Sequence, residues 1–215
     1  MRFFLQCRKM LSSERIYRTC GKYNWISSGE GGGPQAITLS SLRRFLRSLR
    51  RPSDTVFYFV GYGDAREALV SLHEGFSAFV YGIEIIRNQT LLSSVLSDFP
   101  MMQRVHLSHA DLMEVRELPP DVTHLYSTAL VNPAFYSKLV RLGVEHAHVE
   151  CVTMFNRMWQ GLGLSVKRLQ EAMGEGSVVL TKQVRLCGGG TQFTLCTVYM
   201  TEDTRKTLRA YVLDT

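Results

Sequence analysis

From Val56 onward, short apolar runs alternate with segments of helical periodicity, and this alternation restricts the fold more than any other feature of the chain. Residues 56–60 (VFYFV) form an uninterrupted apolar run, the pattern of a parallel strand covered on both faces. Helical patterns follow over 65–73, 87–97, 132–142 and 166–173, and strand patterns over 77–85, 104–107, 122–126 and 148–154. The chain then changes character: residues 177–186 and 191–200 are rich in β-formers and joined by CGGG, the signature of an antiparallel hairpin. Five alternating strand–helix units closed by a hairpin predict an α/β fold, a doubly wound and mostly parallel sheet with an antiparallel C-terminal hairpin. In such sheets a ligand sits beyond the C-terminal strand ends, at the switch in strand order.

Several polar or glycine residues fall at those ends. The first strand stops at Gly61-Tyr62-Gly63 and passes through Asp64 directly into a helix. Glycines there allow a tight turn and a close approach of backbone to ligand, and the helix start offers free N–H groups. Glu84 ends the second strand, where its carboxylate can accept both hydrogens of a ribose diol. Asp111 follows the third strand and can accept from an adenine amino group; each such bond contributes roughly 1.5–3 kcal/mol. Ser127 and Thr128 follow the fourth strand. Gly61, Gly63, Asp64, Glu84 and Asp111 are therefore the candidate cofactor-binding residues.

In this order the motifs resemble those of the class I S-adenosylmethionine-dependent methyltransferases, and most closely those of the disruptor-of-telomeric-silencing (non-SET) histone-lysine methyltransferases. Gly61-Tyr62-Gly63 matches that family's glycine loop, Gly82-Ile83-Glu84 its ribose-binding Gly-x-Glu, and Ala110-Asp111-Leu112 its adenine-side Gly-Asp-Phe. Gly29-Glu30 matches the end of the family's Tyr-Gly-Glu loop. The resemblance implies a seven-stranded sheet with the last strand inserted antiparallel, S-adenosylmethionine as cofactor, and methyl transfer to a lysine of a core histone. It also implies that Ser127 or Thr128, with Glu30, faces the acceptor. The chain departs from the family at Phe59, where an acidic residue stands two before the first glycine, with Asp64 as a partial substitute. It departs also at Ala65, in place of a third glycine, and at Ser127/Thr128, in place of an asparagine. Trp159 is the nearest candidate for the tryptophan that closes the family's lysine channel.

Charge divides the 215 residues unevenly. Residues 1–52 carry 11 Lys/Arg against Glu14 and Glu30, a net +9, whereas residues 53–215 carry 14 against 17 acids, a net −3. We therefore expect a basic N-terminal extension and helix over 1–52 and a methyltransferase-like domain over 53–215. In the expected helix from Ile37, Leu42, Phe45, Leu46 and Leu49 form one face, while Arg43, Arg44, Arg47, Arg50 and Arg51 occupy the others. Those arginines suit a nucleosome or a ribonucleoprotein, bound through phosphates without base readout. Two other readings stay open: a catalytically inactive methyltransferase-fold scaffold in a ribonucleoprotein such as a mitochondrial ribosome or its assembly intermediate, and an RNA methyltransferase.

Five cysteines without a C-x-x-C pair point to reduced thiols in an intracellular compartment, and six scattered histidines to no metal centre. No apolar run reaches the roughly 18 residues of a membrane span, and no secretory signal is evident at the start. The resemblance implies the nucleus. The basic residues 1–20 equally suit a cleaved mitochondrial targeting segment.

Overall fold

The structure is a computed structural model that describes residues 12–21, 36–49, 55–85, 102–173, 179–186 and 192–212. Its centre is a seven-stranded sheet in the order β3-β2-β1-β4-β5-β7-β6. The strands are β1 (Val56–Val60), β2 (Phe79–Glu84), β3 (Val105–His109), β4 (His124–Tyr126), β5 (Cys151–Phe155), β6 (Val179–Arg185) and β7 (Gln192–Tyr199). All pairings from β3 to β5 are parallel, and β7 is antiparallel to both β5 and β6. This is the doubly wound sheet with an antiparallel hairpin that the alternation of apolar runs requires. β1 sits in the middle with every residue buried, which is why VFYFV contains no polar position.

Helices cover both faces. Over one lie α1 (Ser13–Gly21), α2 (Leu39–Ser48) and α3 (Arg66–His73). Here Phe45 of α2 packs on Tyr126 of β4 at 6.0 Å between ring centroids, and Phe57, Phe59 and His124 complete the aromatic layer. Over the other face lie α4 (Pro133–Glu145) and α7 (Glu202–Val212), with α5 (Asn156–Gly161) and α6 (Val166–Met173) linking β5 to the hairpin. α4 starts cleanly because Asn132 Oδ1 accepts the Phe135 N–H and Pro133 opens the first turn. It lies close against the sheet at Gly143, where a Cβ would come within 2.5 Å of Val152.

Ile16 and Cys20 of α1 and Leu42, Phe45 and Leu46 of α2 belong to the same buried core as β1 and α3. α1 was not anticipated, since residues 1–23 show no firm periodicity; α5 and α7 were also missed. The helix expected over 87–97 lies outside the described residues, and strand ends fall within three residues of expectation, those of β1 coinciding with it. Among the described residues no helix is long and apolar enough to cross a membrane.

Candidate functional site

The turn after β1 is held open by backbone geometry. Gly61 has φ +70° and Gly63 φ +59°, and Ala65, immediately before α3, also takes the left-handed conformation at φ 61°. The Gly61 N–H donates to the Ile83 carbonyl at 2.8 Å, which fixes the loop to the end of β2. A Cβ on Gly61 would lie 2.8 Å from Ala129 Cβ, so the loop passes hard against the segment that follows β4. At Gly63 the opposite holds: nothing lies within 4 Å of where a Cβ would be. The loop is crowded on one side and open on the other.

Glu84 closes β2 beside that opening. It is 8% exposed, and its Oε2 accepts the Gly63 N–H at 3.0 Å. A carboxylate buried at a strand end is tolerable because the loop amide offsets part of its desolvation. Gly82, two residues earlier, is required by crowding, since a Cβ there would sit 2.7 Å from Leu107 Cδ2 and 3.0 Å from Tyr62 Cδ1. The Tyr62 ring thus lies over Gly82 near Glu84, and burial together with the Glu84 charge pushes its phenol pKa up.

The remaining expected residues are placed as follows. Asp64 is 3% exposed and is gripped by Arg66, whose Nε lies 2.8 and 2.7 Å from its two oxygens. Arg66 in turn stacks over the Tyr17 ring of α1, 4.8 Å from its centroid. Asp64 therefore anchors the loop to α1. Asp111 is half-buried, and its Oδ1 accepts the Met113 N–H at 2.9 Å, capping a short 3-10 turn. Ser127 is 1% exposed and staples β4 to β1: its hydroxyl donates to the Val60 carbonyl at 2.8 Å and accepts the Ala129 N–H at 3.2 Å. Thr128 beside it is half-buried. Glu30 lies outside the described residues, as do Arg50 and Arg51. The fold brings Gly61, Gly63, Asp64 and Glu84 together, with Ser127 and Thr128 adjoining the loop through Ala129.

Two sequence expectations are corrected. Trp159 is fully buried and donates its indole N–H to the Cys196 carbonyl at 3.3 Å, so it belongs to the core under β7 rather than to a channel. Arg43 does not extend outward with its neighbours; it bridges Glu14 of α1 at 2.6 Å and Glu74 beyond α3 at 2.5 Å. Arg44 and Arg47 are exposed.

Sequence reasoning missed three residues at the rim. Ile85 (60% exposed), Met113 (53%) and Val131 (55%) are three of the four large apolar side chains left exposed among the described residues. They follow the C-terminal ends of β2, β3 and β4 in turn. An apolar residue directly after the polar end of a strand is the signal that would have found Ile85. Sequence reasoning also missed Glu67, buried on α3, which accepts the Ile37 N–H at 2.8 Å and the Tyr126 hydroxyl at 2.7 Å. Burial pushes its carboxyl pKa up to about 7. No group of histidine, cysteine and acidic side chains that could hold a metal occurs among the described residues.

No protein-family model matches the chain, and no curated protein matches it in sequence. Its fold, however, recurs among solved structures. TrmK of M. capricolum, in complex with S-adenosyl-homocysteine, is similar with a TM-score of 0.54 at 9% identity, over 76% of this chain and 69% of that one. A putative tRNA (m1A22) methyltransferase of Streptococcus pneumoniae, in complex with S-adenosyl-L-methionine, is similar with a TM-score of 0.55 at 12% identity, over 79% and 78%. Precorrin-6y C5,15-methyltransferase of Geobacter metallireducens is similar with a TM-score of 0.55 at 13% identity, over 83% and 98%. These neighbours are class I S-adenosylmethionine-dependent methyltransferases, and at such identities the likeness is one of fold.

Proposed function

We propose that the protein is an S-adenosylmethionine-dependent methyltransferase whose acceptor is a nitrogen of RNA. The observation that carries the cofactor reading is the pairing of Glu84 with Gly63 at the open side of the glycine loop. A buried carboxylate beside a backbone cradle with free space above it fits the ribose of an adenosine derivative. Ile85 and Met113 supply apolar surface on either side for the base, and Asp111 a carboxylate at its edge. When bound, the cofactor supplies a methyl group already activated on a sulfonium. The residues of this chain have only to hold it in line with the acceptor and exclude water.

An RNA acceptor is favoured over the histone lysine that the motifs resemble. One of the neighbours just described is named for tRNA methylation, whereas nothing in the comparisons supports a lysine acceptor. The acceptor side also lacks an amide where the histone enzymes have one: Ser127 is consumed in holding β4 to β1. Thr128, half-buried beside it, is left as the described candidate to face the acceptor.

Calorimetric titration with S-adenosylhomocysteine tests the cofactor reading, and transfer of labelled methyl to unmodified RNA transcripts tests the acceptor. Glu84→Ala is expected to weaken cofactor binding at least tenfold, about 1.4 kcal/mol. A folded wild-type protein that fails to bind at millimolar cofactor would leave only the scaffold reading, and transfer to histones but not RNA would restore the lysine acceptor.

A further inference from the structure

The arginines of α2 part company in the structure, and the division points to a surface that sequence alone did not outline. Arg43 is turned inward to Glu14 and Glu74. Arg44 turns to the opposite flank, where its guanidinium lies 3.5 Å from the Gln183 carbonyl of β6. Arg47, one turn further along α2, is exposed. β6 is an edge strand of the sheet, bridged by Ile37 at Leu186 just past its end, and carries two more cations, Lys182 and Arg185. Lys182 is paired across the ladder with Leu195, on the sheet face that α2 covers. Arg185 is fastened to the first turn of α2, its N–H donating to Ser41 Oγ at 3.1 Å and its carbonyl accepting the Thr38 N–H at 2.7 Å. Its side chain, exposed, leaves from the other face of the strand, so the edge is flanked by positive charge on both sides. Among the described residues, none of these four cations is in an ion pair.

The surface also lies on the side that an acceptor must approach. β6 is parallel to β5, because both are antiparallel to β7, so Arg185 stands at the same end of the sheet as Gly61, Glu84 and Ser127. Three strand spacings separate β6 from β4, on the order of 14 Å at 4.8 Å each. Along the edge, the backbone positions of Lys182 and Arg185 are about 10 Å apart, at about 3.3 Å per residue. The donor half of the site, β1 to β3, is at the opposite end of the strand order.

We infer that Arg44, Arg47, Lys182 and Arg185 bind the phosphate backbone of the RNA and lead it along the β6 edge to the acceptor side of the sheet. This rests on the RNA reading above. It joins Arg44 and Arg47 of α2 to an edge strand in one strip, and it leaves Arg43 out. Among the described residues no aromatic ring stacks on the four cations, so the strip positions the chain and leaves base choice to the site.

The test is fluorescence anisotropy of the full chain with a labelled, unmodified tRNA transcript at several salt concentrations, alongside calorimetry with S-adenosylhomocysteine. The double variants Arg44→Glu/Arg47→Glu and Lys182→Glu/Arg185→Glu are each expected to weaken RNA binding at least tenfold. Each should also lower the salt slope by roughly 1.4, about 0.7 per lost phosphate contact. Arg209→Glu, an exposed arginine of α7, is expected to change neither, and cofactor affinity is expected to hold in all three. Unchanged RNA affinity in both doubles overturns the strip while sparing the RNA reading, and no RNA binding by the wild type overturns both. Equal affinity for duplex DNA, lost in the same variants, overturns RNA as the occupant. If the glutamates cause self-association, Arg44→Gln/Arg47→Gln and Lys182→Gln/Arg185→Gln take their place. A rise in dimer with RNA affinity intact would assign the cations to guarding the edge strand instead.

Discussion

The ring of Phe59 lies 5.0 Å from that of Tyr126 and 5.4 Å from that of Phe57, and only 3% of the residue is exposed. It occupies the place where the histone-lysine methyltransferases that the motifs resemble carry an acid, but the aromatic layer beneath α2 has closed over the position. Restoring the acid is therefore the wrong way to restore a site. Phe59→Asp removes a packed ring and sets an unpaired carboxylate near the Glu67–Tyr126 pair, at a cost of about 3–5 kcal/mol. We expect denaturant unfolding to record that loss, with no gain of S-adenosylhomocysteine affinity in the folded fraction; tighter binding in a stable Phe59→Asp protein would refute this account of the loop. Phe59→Leu, which keeps the position apolar, should cost less than about 2 kcal/mol. Site residues were legible where the reason for them is local. Glu84 stood out because a carboxylate ending an apolar strand needs a partner, and Gly61 and Gly63 because a strand turning into a helix needs positive φ. The commitments of Asp64 and Ser127 were not legible. They depend on Tyr17 and Val60, brought near only by the packing of α1 on α3 and of β4 on β1.

At the scale of elements, the buried strands were readable because their apolar runs have no other use, while the terminal helices were not. α7 buries Thr204, Leu208 and Val212 at four-residue intervals, a stripe too narrow to stand out in EDTRKTLRAYV. What holds it is chiefly one arginine. The Arg205 guanidinium donates to the carbonyls of Gly143, Val144, His146, Ala147 and Val149, which include the otherwise unpaired end of α4. A planar fork of donors suits that task, and a positive charge is favourable at a helix C-terminus. Arg205→Ala removes the guanidinium donor from those carbonyls, although that of His146 keeps the Val149 N–H, and should lower stability by about 3 kcal/mol. Arg205→Lys should recover only part of it, because an ammonium has three donors and no fork. Chemical denaturation of the three proteins settles the matter: equal stability of the alanine and lysine variants would mean that the charge contributes nothing beyond packing.

Across the whole molecule, two buried titratable groups lie on the same sheet face and oppose one another. Glu67, with its carboxyl pushed by burial up to about 7 from an ordinary 4.5, favours folding at low pH. Its contribution is present in full below 4.5 and is lost as pH rises to 7, because the unfolded chain ionises first. His124 is 1% exposed; burial pushes its pKa down to about 4 from an ordinary 6.5, with Nδ1 against Thr123 Oγ1 at 2.7 Å and Nε2 unpartnered. Its contribution is present in full above 6.5 and is lost as pH falls to 4. Between 4.5 and 6.5 the two slopes, each about 1.4 kcal/mol per pH unit at most, have opposite signs and cancel. The wild type should therefore show a nearly flat stability profile across that window, although neither group is indifferent to pH. Removing one exposes the other. Glu67→Gln, whose amide can still accept from Ile37 and donate to Tyr126, should gain stability as pH rises from 4 to 6.5. His124→Leu should lose it from 4.5 to 7. The double variant should be flat again but more stable at both ends of the range. Urea unfolding at half-unit pH steps measures all four curves, and a Glu67→Gln profile parallel to the wild type would show that the buried carboxyl does not titrate with folding.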